Sequence, residues 1–201
     1  MVASKAKQRV IIGNSHAGIA ALERLHAAEP QAMSIIISGE SELPYSPTSL
    51  PAYVAGEVKE QNLGLRDRSF YDRNNTLPLL GRRVEELDAK NRHVVLSDGG
   101  RLSYDQLLVA TGSRPAIPPI PGLKKDEAIT LRTLGDAKAL VQLCNGSRSA
   151  AVIGAGLVGM EVATSLQKRG LKVTVIELLG QVLPLYFEKE AAAIVEAVYR
   201  E

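Results

Sequence analysis

The sequence predicts an α/β chain built on two strand–turn–helix–strand units. Three observations carry that expectation. The apolar run Arg9-Val10-Ile11-Ile12 leads through a small-residue turn, Gly13-Asn14-Ser15-His16-Ala17-Gly18, into an amphipathic segment. Much later, Ala150-Ala151-Val152-Ile153 leads through Gly154-Ala155-Gly156-Leu157-Val158-Gly159 into another. Each unit then runs into a second apolar strand closed by an acid, Glu40 in the first and Glu177 in the second. In a unit of this kind the backbone amides of the turn and the helix N-terminus face a pyrophosphate, and the acid accepts from a ribose.

The elements follow in order. Residues 9–12 are expected as a buried strand and residues 16–28 as a helix, with Ile19, Leu22 and Leu25 on one face. Residues 33–37 are the second strand, and Glu40 follows it, with Glu42 near enough to substitute. Residues 43–53 hold three prolines and are expected as a loop. Residues 62–75 are expected to be helical in part, and 77–80 a short strand. Residues 83–87 and 93–96 alternate as strands, followed by the Asp98-Gly99 turn and Leu102, which reads as an inserted antiparallel meander. Residues 105–110 return as a buried strand ending at Thr111-Gly112. The four prolines between Arg114 and Pro121 mark a domain boundary. A helix is expected over 134–143, a strand over 150–153, a helix over 157–168, a strand over 172–176 and a last helix over 188–199.

Bulk composition bounds the function. The chain has 201 residues, 45% hydrophobic and 23% charged, with a formal charge of only +2 and scattered Lys and Arg. Nothing in that distribution supports a nucleic-acid footprint. No apolar run reaches the length of a membrane span. The short apolar run after Lys5 and Lys7 ends at the Gly13 turn, so it reads as a strand rather than an export signal. One cysteine, Cys144, excludes an intrachain disulfide, and a cytoplasmic location is expected. No His, Cys or carboxylate cluster has metal-ligand spacing. His26 and His93 are expected at the surface.

Two such units in one chain imply two dinucleotides and electron passage between them. Four features in order then carry a resemblance. They are the Gly13–Gly18 turn with Glu40; the run Tyr104-Asp105-Gln106-Leu107-Leu108-Val109-Ala110-Thr111-Gly112; Leu131-Arg132-Thr133; and Gly154-x-Gly156-x-x-Gly159 with Glu161 and Glu177. Together they resemble the FAD-dependent pyridine nucleotide-disulfide oxidoreductase family, over nearly the whole chain.

The resemblance implies two Rossmann-like βαβ dinucleotide-binding units, the first a three-layer ββα sandwich with its antiparallel meander. It implies an FAD-binding domain over residues 1–116 and an NAD(H)-binding domain over 117–201. Gly13, Ser15, His16, Ala17 and Gly18 would lie on the FAD pyrophosphate, Glu40 on the adenosine ribose and Val84 beside the adenine. Ala110, Thr111 and Gly112 would lie against the flavin nucleotide. Ser15 stands where the pattern has glycine, which fits if its hydroxyl donates to a phosphate. His16 reads equally as a packing or surface residue.

In the second unit the motif logic is direct. Gly154 permits the turn, Gly156 lets the pyrophosphate approach, Gly159 lets the helix pack on the strand, and Leu157 and Val158 open the helix. Glu177 accepts from the ribose and repels a 2′-phosphate, and no Lys or Arg occurs from Leu178 to Phe187. NADH is therefore expected over NADPH. Glu161 is expected either near the flavin–nicotinamide contact or as a surface acid in the first turn of its helix, favoured by the dipole.

Thiol-dependent members of the family carry a redox cysteine in the loop after the first acid. Here that place falls at Thr48 or Ser49, and a hydroxyl forms neither thiolate nor sulfenic acid. Cys144 lies in another segment and reads as a core thiol. The loop instead resembles members that pass electrons to rubredoxin- or ferredoxin-like partners, although Ala52 stands where those carry a lysine.

The resemblance thus implies hydride transfer from NADH to FAD and onward transfer to an external acceptor, a protein or a small molecule, alone or as the NADH-coupling subunit of a larger complex. The alternatives are a non-catalytic dinucleotide-binding module and a thiol-dependent NADH oxidase or CoA-disulfide reductase. The family pattern continues past residue 201, so the chain is expected to be a fragment that is inactive alone, with open strand edges that leave a homodimer as an option.

Overall fold

The structure, a computed structural model, describes residues 7–124 and 126–200. In chain order the elements are β1 (Arg9–Ile12), α1 (His16–Ala28), β2 (Ser34–Ile37), α2 (Leu50–Ala55), α3 (Ser69–Arg73), β3 (Thr76–Leu79), β4 (Val84–Asp88), β5 (His93–Leu96), β6 (Arg101–Ser103), β7 (Gln106–Val109), α4 (Leu134–Cys144), β8 (Ser149–Ile153), α5 (Leu157–Lys168), β9 (Lys172–Ile176) and α6 (Lys189–Arg200). Short 3-10 turns cover Pro47–Ser49 and Glu60–Asn62. No described helix is long and apolar enough to cross a membrane. The chain divides into two compact units, one of Met1–Ser46 with Gly64–Ser113, the other of Pro47–Leu63 with Arg114–Glu201.

The first unit is a three-layer sandwich. Its middle layer is a parallel sheet in the order β3-β2-β1-β7. β1 and β2 are buried at every residue, as unbroken Val/Ile runs between two covering layers must be. One face of the sheet packs Ile11 and Ile36 against Ile19 and Leu22 of α1 and Phe70 and Tyr71 of α3. The other packs Val10, Ile12, Ile35 and Ile37 against Val94 and Leu96 of the β4-β5-β6 meander. Arg9, only 3% exposed, is held by Glu29 at 2.5 Å and by Gln106 at 3.1 Å, which ties β1 to the end of α1 and to β7.

Two expectations need correction here. Residues 105–110 form a strand, but β7 lies at a sheet edge and Val109 is 56% exposed, because its outer side has no neighbouring strand among the described residues. The strand expected over 77–80 is present as β3 and forms the opposite edge of the sheet. Pro78 is tolerated there because an edge strand has one side without a ladder. The surface assignment of the histidines fails too. His26 is half-buried with Nδ1 enclosed and unpartnered, and half-buried His93 in β5 lies 3.9 Å from Asp88.

The second unit pairs β8 and β9 in parallel, in register from Ser149↔Lys172 to Ile153↔Ile176, with α5 as the crossover. Ala155, Met160 and Leu183 form its buried cluster, with Val175, Val182 and Val195 packed against them. A cleft of about 850 Å³ opens between α5, α6 and the Val173/Val175 face of β9. α4 is capped by Thr133, whose hydroxyl accepts from Asp136 N while Asp136 accepts from Thr133 N and Arg132 N, a reciprocal cap.

α2 belongs to this unit. The expected loop over 43–53 contains this short helix because its proline, Pro51, sits in the first turn, where a missing N–H costs nothing. Ser165 of α5 donates to Pro51 O at 2.8 Å, Arg169 donates to Val54 O, and Lys168 and Lys138 pair with Glu57 and Glu60.

The central layer of the first unit is the least forgiving place to remove volume. Ile36→Ala is expected to cost about 2–5 kcal/mol in urea unfolding, and the half-exposed Leu77→Ala under about 1 kcal/mol. Similar losses at both positions would contradict the layer arrangement.

Candidate functional site

The first glycine turn is built by steric exclusion. Gly13 closes β1 with φ +118°, and its N–H donates to Ile37 O at 2.9 Å. A Cβ on Gly13 would lie 2.1 Å from Ala110 O. A Cβ on Gly18 would lie 1.9 Å from Gly13 O. Only glycine fits either place. Ala110 N donates to Ile12 O at 2.7 Å, so the Ala110-Thr111-Gly112 segment rests directly on the turn.

Ser15 is the N-cap of α1 in extended conformation, and its hydroxyl caps no amide. The first amides of α1 therefore lack a side-chain acceptor, and His16 and Ala17 lie exposed beside them. Asn14 accepts at Oδ1 from the hydroxyl of Tyr71 at 2.9 Å. Burial pushes the Tyr71 phenol above its usual range, so it remains a donor at neutral pH. Glu40 follows β2 and accepts from the Tyr45 hydroxyl at 2.5 Å through Oε2, while its second oxygen has no hydrogen bond among the described residues. Glu42 accepts from its neighbour Ser41 at 3.3 Å. Val84 begins β4 opposite Leu96, next to a register shift between Val84 and Glu86.

The second turn repeats the arrangement. Gly154 has φ +100° and donates to Ile176 O at 2.8 Å. A Cβ on Gly159 would lie 2.0 Å from Gly154 O, nearly the Gly18 distance. Gly156 is the N-cap of α5, and a Cβ there would meet nothing within 4 Å. The fold itself does not demand glycine at 156, whereas a ligand approaching the backbone would. Leu157 and Val158 open α5 and are half exposed.

Glu177 turns back onto this loop. Its Oε2 accepts from Ala155 N at 2.7 Å and its Oε1 from Leu179 N at 2.9 Å. Those amides, Leu179 foremost and Ala155 next, hold the carboxyl below the usual glutamate range. A carboxylate has about four acceptor positions, so both oxygens still have room for ribose hydroxyls. Beyond it, Leu183 takes a left-handed φ of +49° and donates to Ala155 O at 2.8 Å, which fastens the 178–187 loop to the turn. Glu161 is the exposed fifth residue of α5, so the first-turn dipole argument for it fails. Cys144 is buried at the end of α4.

Both turns therefore fit a dinucleotide. Each has a carbonyl where a Cβ would begin, a helix N-terminus without a side-chain cap and a carboxylate closing the second strand. Sequence reasoning missed Tyr45, Tyr71 and Asn14. Their pairings span 5 and 57 residues, and no spacing rule predicts them. Sequence reasoning also passed over Thr133-x-x-Asp136, although its spacing is that of a reciprocal cap.

Comparison with known proteins agrees with this geometry. The family model for pyridine nucleotide-disulphide oxidoreductases matches residues 7–201. The epsilon subunit of NADH-dependent phenylglyoxylate dehydrogenase from Aromatoleum evansii is 38% identical over 96% of this chain and 46% of its own length. The ferredoxin–NAD(+) reductase subunit of a Pseudomonas putida benzene 1,2-dioxygenase system is 34% identical over 86% of the chain and 42% of its own. The chain thus spans less than half the length of these relatives. In the solved putidaredoxin reductase–putidaredoxin complex, a matching chain is 30% identical with a TM-score of 0.87, covering 96% of this chain and 48% of that one.

Two predictions follow from the turns. Gly13→Ala is expected to prevent stable folding of the first unit, while Gly156→Ala leaves the thermal midpoint within a few degrees and weakens NADH binding at least about tenfold. Equal NADH affinity in Gly156→Ala would sink the assignment of the open space above it. Glu177 has a depressed folded-state pKa, so its grip on the turn contributes stability above the ordinary glutamate value of 4.5 and is lost as pH falls through the lower folded value. The Ala155 and Leu179 amide resonances should titrate together below pH 4.5, and Glu177→Gln should abolish that titration.

Proposed function

The chain belongs to the pyridine nucleotide-disulphide oxidoreductase family, and on that premise we propose that it is the two-dinucleotide part of a flavoprotein oxidoreductase that takes hydride from NADH and passes electrons to an external acceptor. The observation that carries the reading is the duplicated steric signature, Gly13/Gly18 with Glu40 and Gly154/Gly159 with Glu177.

In this reading the first unit holds FAD. The amides of residues 15–18 and the Ser15 hydroxyl take the pyrophosphate, Glu40 takes the ribose, backbone at Val84 borders the adenine, and Ala110–Gly112 flanks the nucleotide. The second unit holds NADH, with the pyrophosphate over Gly154, Gly156, Leu157, Val158 and Gly159 and the ribose on Glu177. The chemistry a bound flavin supplies is hydride acceptance from reduced nicotinamide. The chain's own residues bind and orient. Glu177, ionised at neutral pH, disfavours a 2′-phosphate, and residues 178–187 offer no cation to receive one.

The acceptor is a protein or a small molecule. The printed roles of the relatives, a ferredoxin–NAD(+) reductase subunit and an NADH-dependent dehydrogenase subunit, support a protein acceptor or a place as the NADH-coupling subunit of a larger complex. A thiol-dependent reaction is disfavoured, because Thr48 and Ser49 carry hydroxyls and Cys144 is enclosed in the second unit. The single cysteine fits a cytoplasmic setting.

The test is flavin content and NADH-driven dye reduction of the protein in its native reading frame. Stoichiometric FAD is expected, with NADH preferred over NADPH by about tenfold or more in kcat/KM. A flavin-free protein, or an NADPH preference, would overturn the reading.

A further inference from the structure

The turn over residues 13–18 has few side chains with which to hold its shape. Gly13 and Gly18 have none and Ala17 has a methyl, while the Ser15 and His16 side chains make no hydrogen bond among the described residues. Asn14 is the exception. Its Oδ1 accepts from Tyr71 at 2.9 Å, and its Nδ2 is buried without a partner. The orientation of the Asn14 amide is therefore fixed from one side, by a residue 57 positions away.

Tyr71 is itself enclosed in the core. It is fully buried between α1 and the central sheet, and its ring meets Phe70 edge-on at 5.7 Å. Phe70 is covered in turn by Arg66, whose guanidinium lies 5.6 Å from the ring centre and pairs with Glu23 of α1 at 2.8 Å. The core needs the ring and not the oxygen, since a phenylalanine would fill the same space. A buried hydroxyl is costly unless it is paired, and the partner it has is the glycine turn.

We propose that Tyr71 is a positioning residue for the FAD site, holding the Gly13–Gly18 turn through Asn14 in the form that receives the pyrophosphate. The proposal rests on the reading of the first unit as the FAD site. Its physical basis is preorganisation: a turn already fixed gives up less freedom when a ligand orders it. Tyr71 touches no ligand atom in this account; its effect travels through one hydrogen bond.

The experiment measures FAD affinity of the protein in its native reading frame by quenching of flavin fluorescence, for the unsubstituted protein, Tyr71→Phe, Asn14→Ala and the double variant. Each single variant is expected to bind FAD about three- to tenfold more weakly, and the double variant no more weakly than either single one. NADH affinity, which belongs to the second unit, should be unchanged in all of them. Unaltered FAD affinity in Tyr71→Phe, effects that add in the double variant, or an equal loss of NADH binding would overturn the positioning role. If Tyr71→Phe does not fold, Asn14→Ala leaves every ring of the core in place, and unaltered FAD affinity in that variant overturns the proposal. Should the unsubstituted protein in its native reading frame bind no FAD, the reading of the site fails and the proposal fails with it. FAD affinity that is unaltered in Tyr71→Phe removes the proposal alone.

Discussion

In both units a carbonyl oxygen occupies the place where a side chain would begin. The Gly13 oxygen lies 1.9 Å from the position of a Cβ on Gly18, and the Gly154 oxygen lies 2.0 Å from that on Gly159. This close approach lets the first turn of each helix sit directly over the end of its strand. The helix N-terminus, the strand end and the acid of the following strand are thereby brought to one edge. Everything chemical in the chain depends on that compression. A methyl group at either third glycine would lift the helix off the strand and move the amides at its N-terminus.

The two turns are not equivalent in their surroundings. The first is closed from outside by Ala110, whose oxygen lies 2.1 Å from a Cβ on Gly13, and from beneath by the Tyr71–Asn14 pair. The second has open space around Gly154 and Gly156, and it is shaped by its own acid, since Glu177 holds Ala155 N. The first turn is thus a socket assembled from distant segments, and the second a self-contained loop. The same glycine pattern supports both because backbone sterics, rather than particular neighbours, set the shape.

Strand–turn–helix–strand was legible because its causes are local. Unbroken Val/Ile runs, glycine spacing and helical periodicity gave β1, α1, β2, β8, α5 and β9 almost to the residue. The meander was legible through alternation and the Asp98-Gly99 turn. What stayed hidden depends on neighbours far away in sequence. The edge position of β7, the Glu40–Tyr45 pair, the Tyr71–Asn14 pair and the half-burial of His26 are set by tertiary placement, on which a window of residues carries no information. The helix over 50–55 was obscured by its own proline, a breaker in mid-helix but an ordinary first-turn residue.

The grip of α5 on α2 has a consequence for how the chain acquires its structure. Ser165 reaches Pro51 across 114 residues, and Arg169 reaches Val54 across 115. During synthesis, α2 leaves the ribosome long before any residue of α5 exists. It must wait unsatisfied while the whole meander is made. Closing so large a loop adds little to equilibrium cost, since each doubling of length is worth only about 0.6 kcal/mol. The burden falls on rate instead, because non-local contacts form late. The second unit is therefore completed by a piece of chain that the first unit has already enclosed in sequence. Neither unit can be cut out as a continuous stretch without leaving the other a helix short or a helix too long.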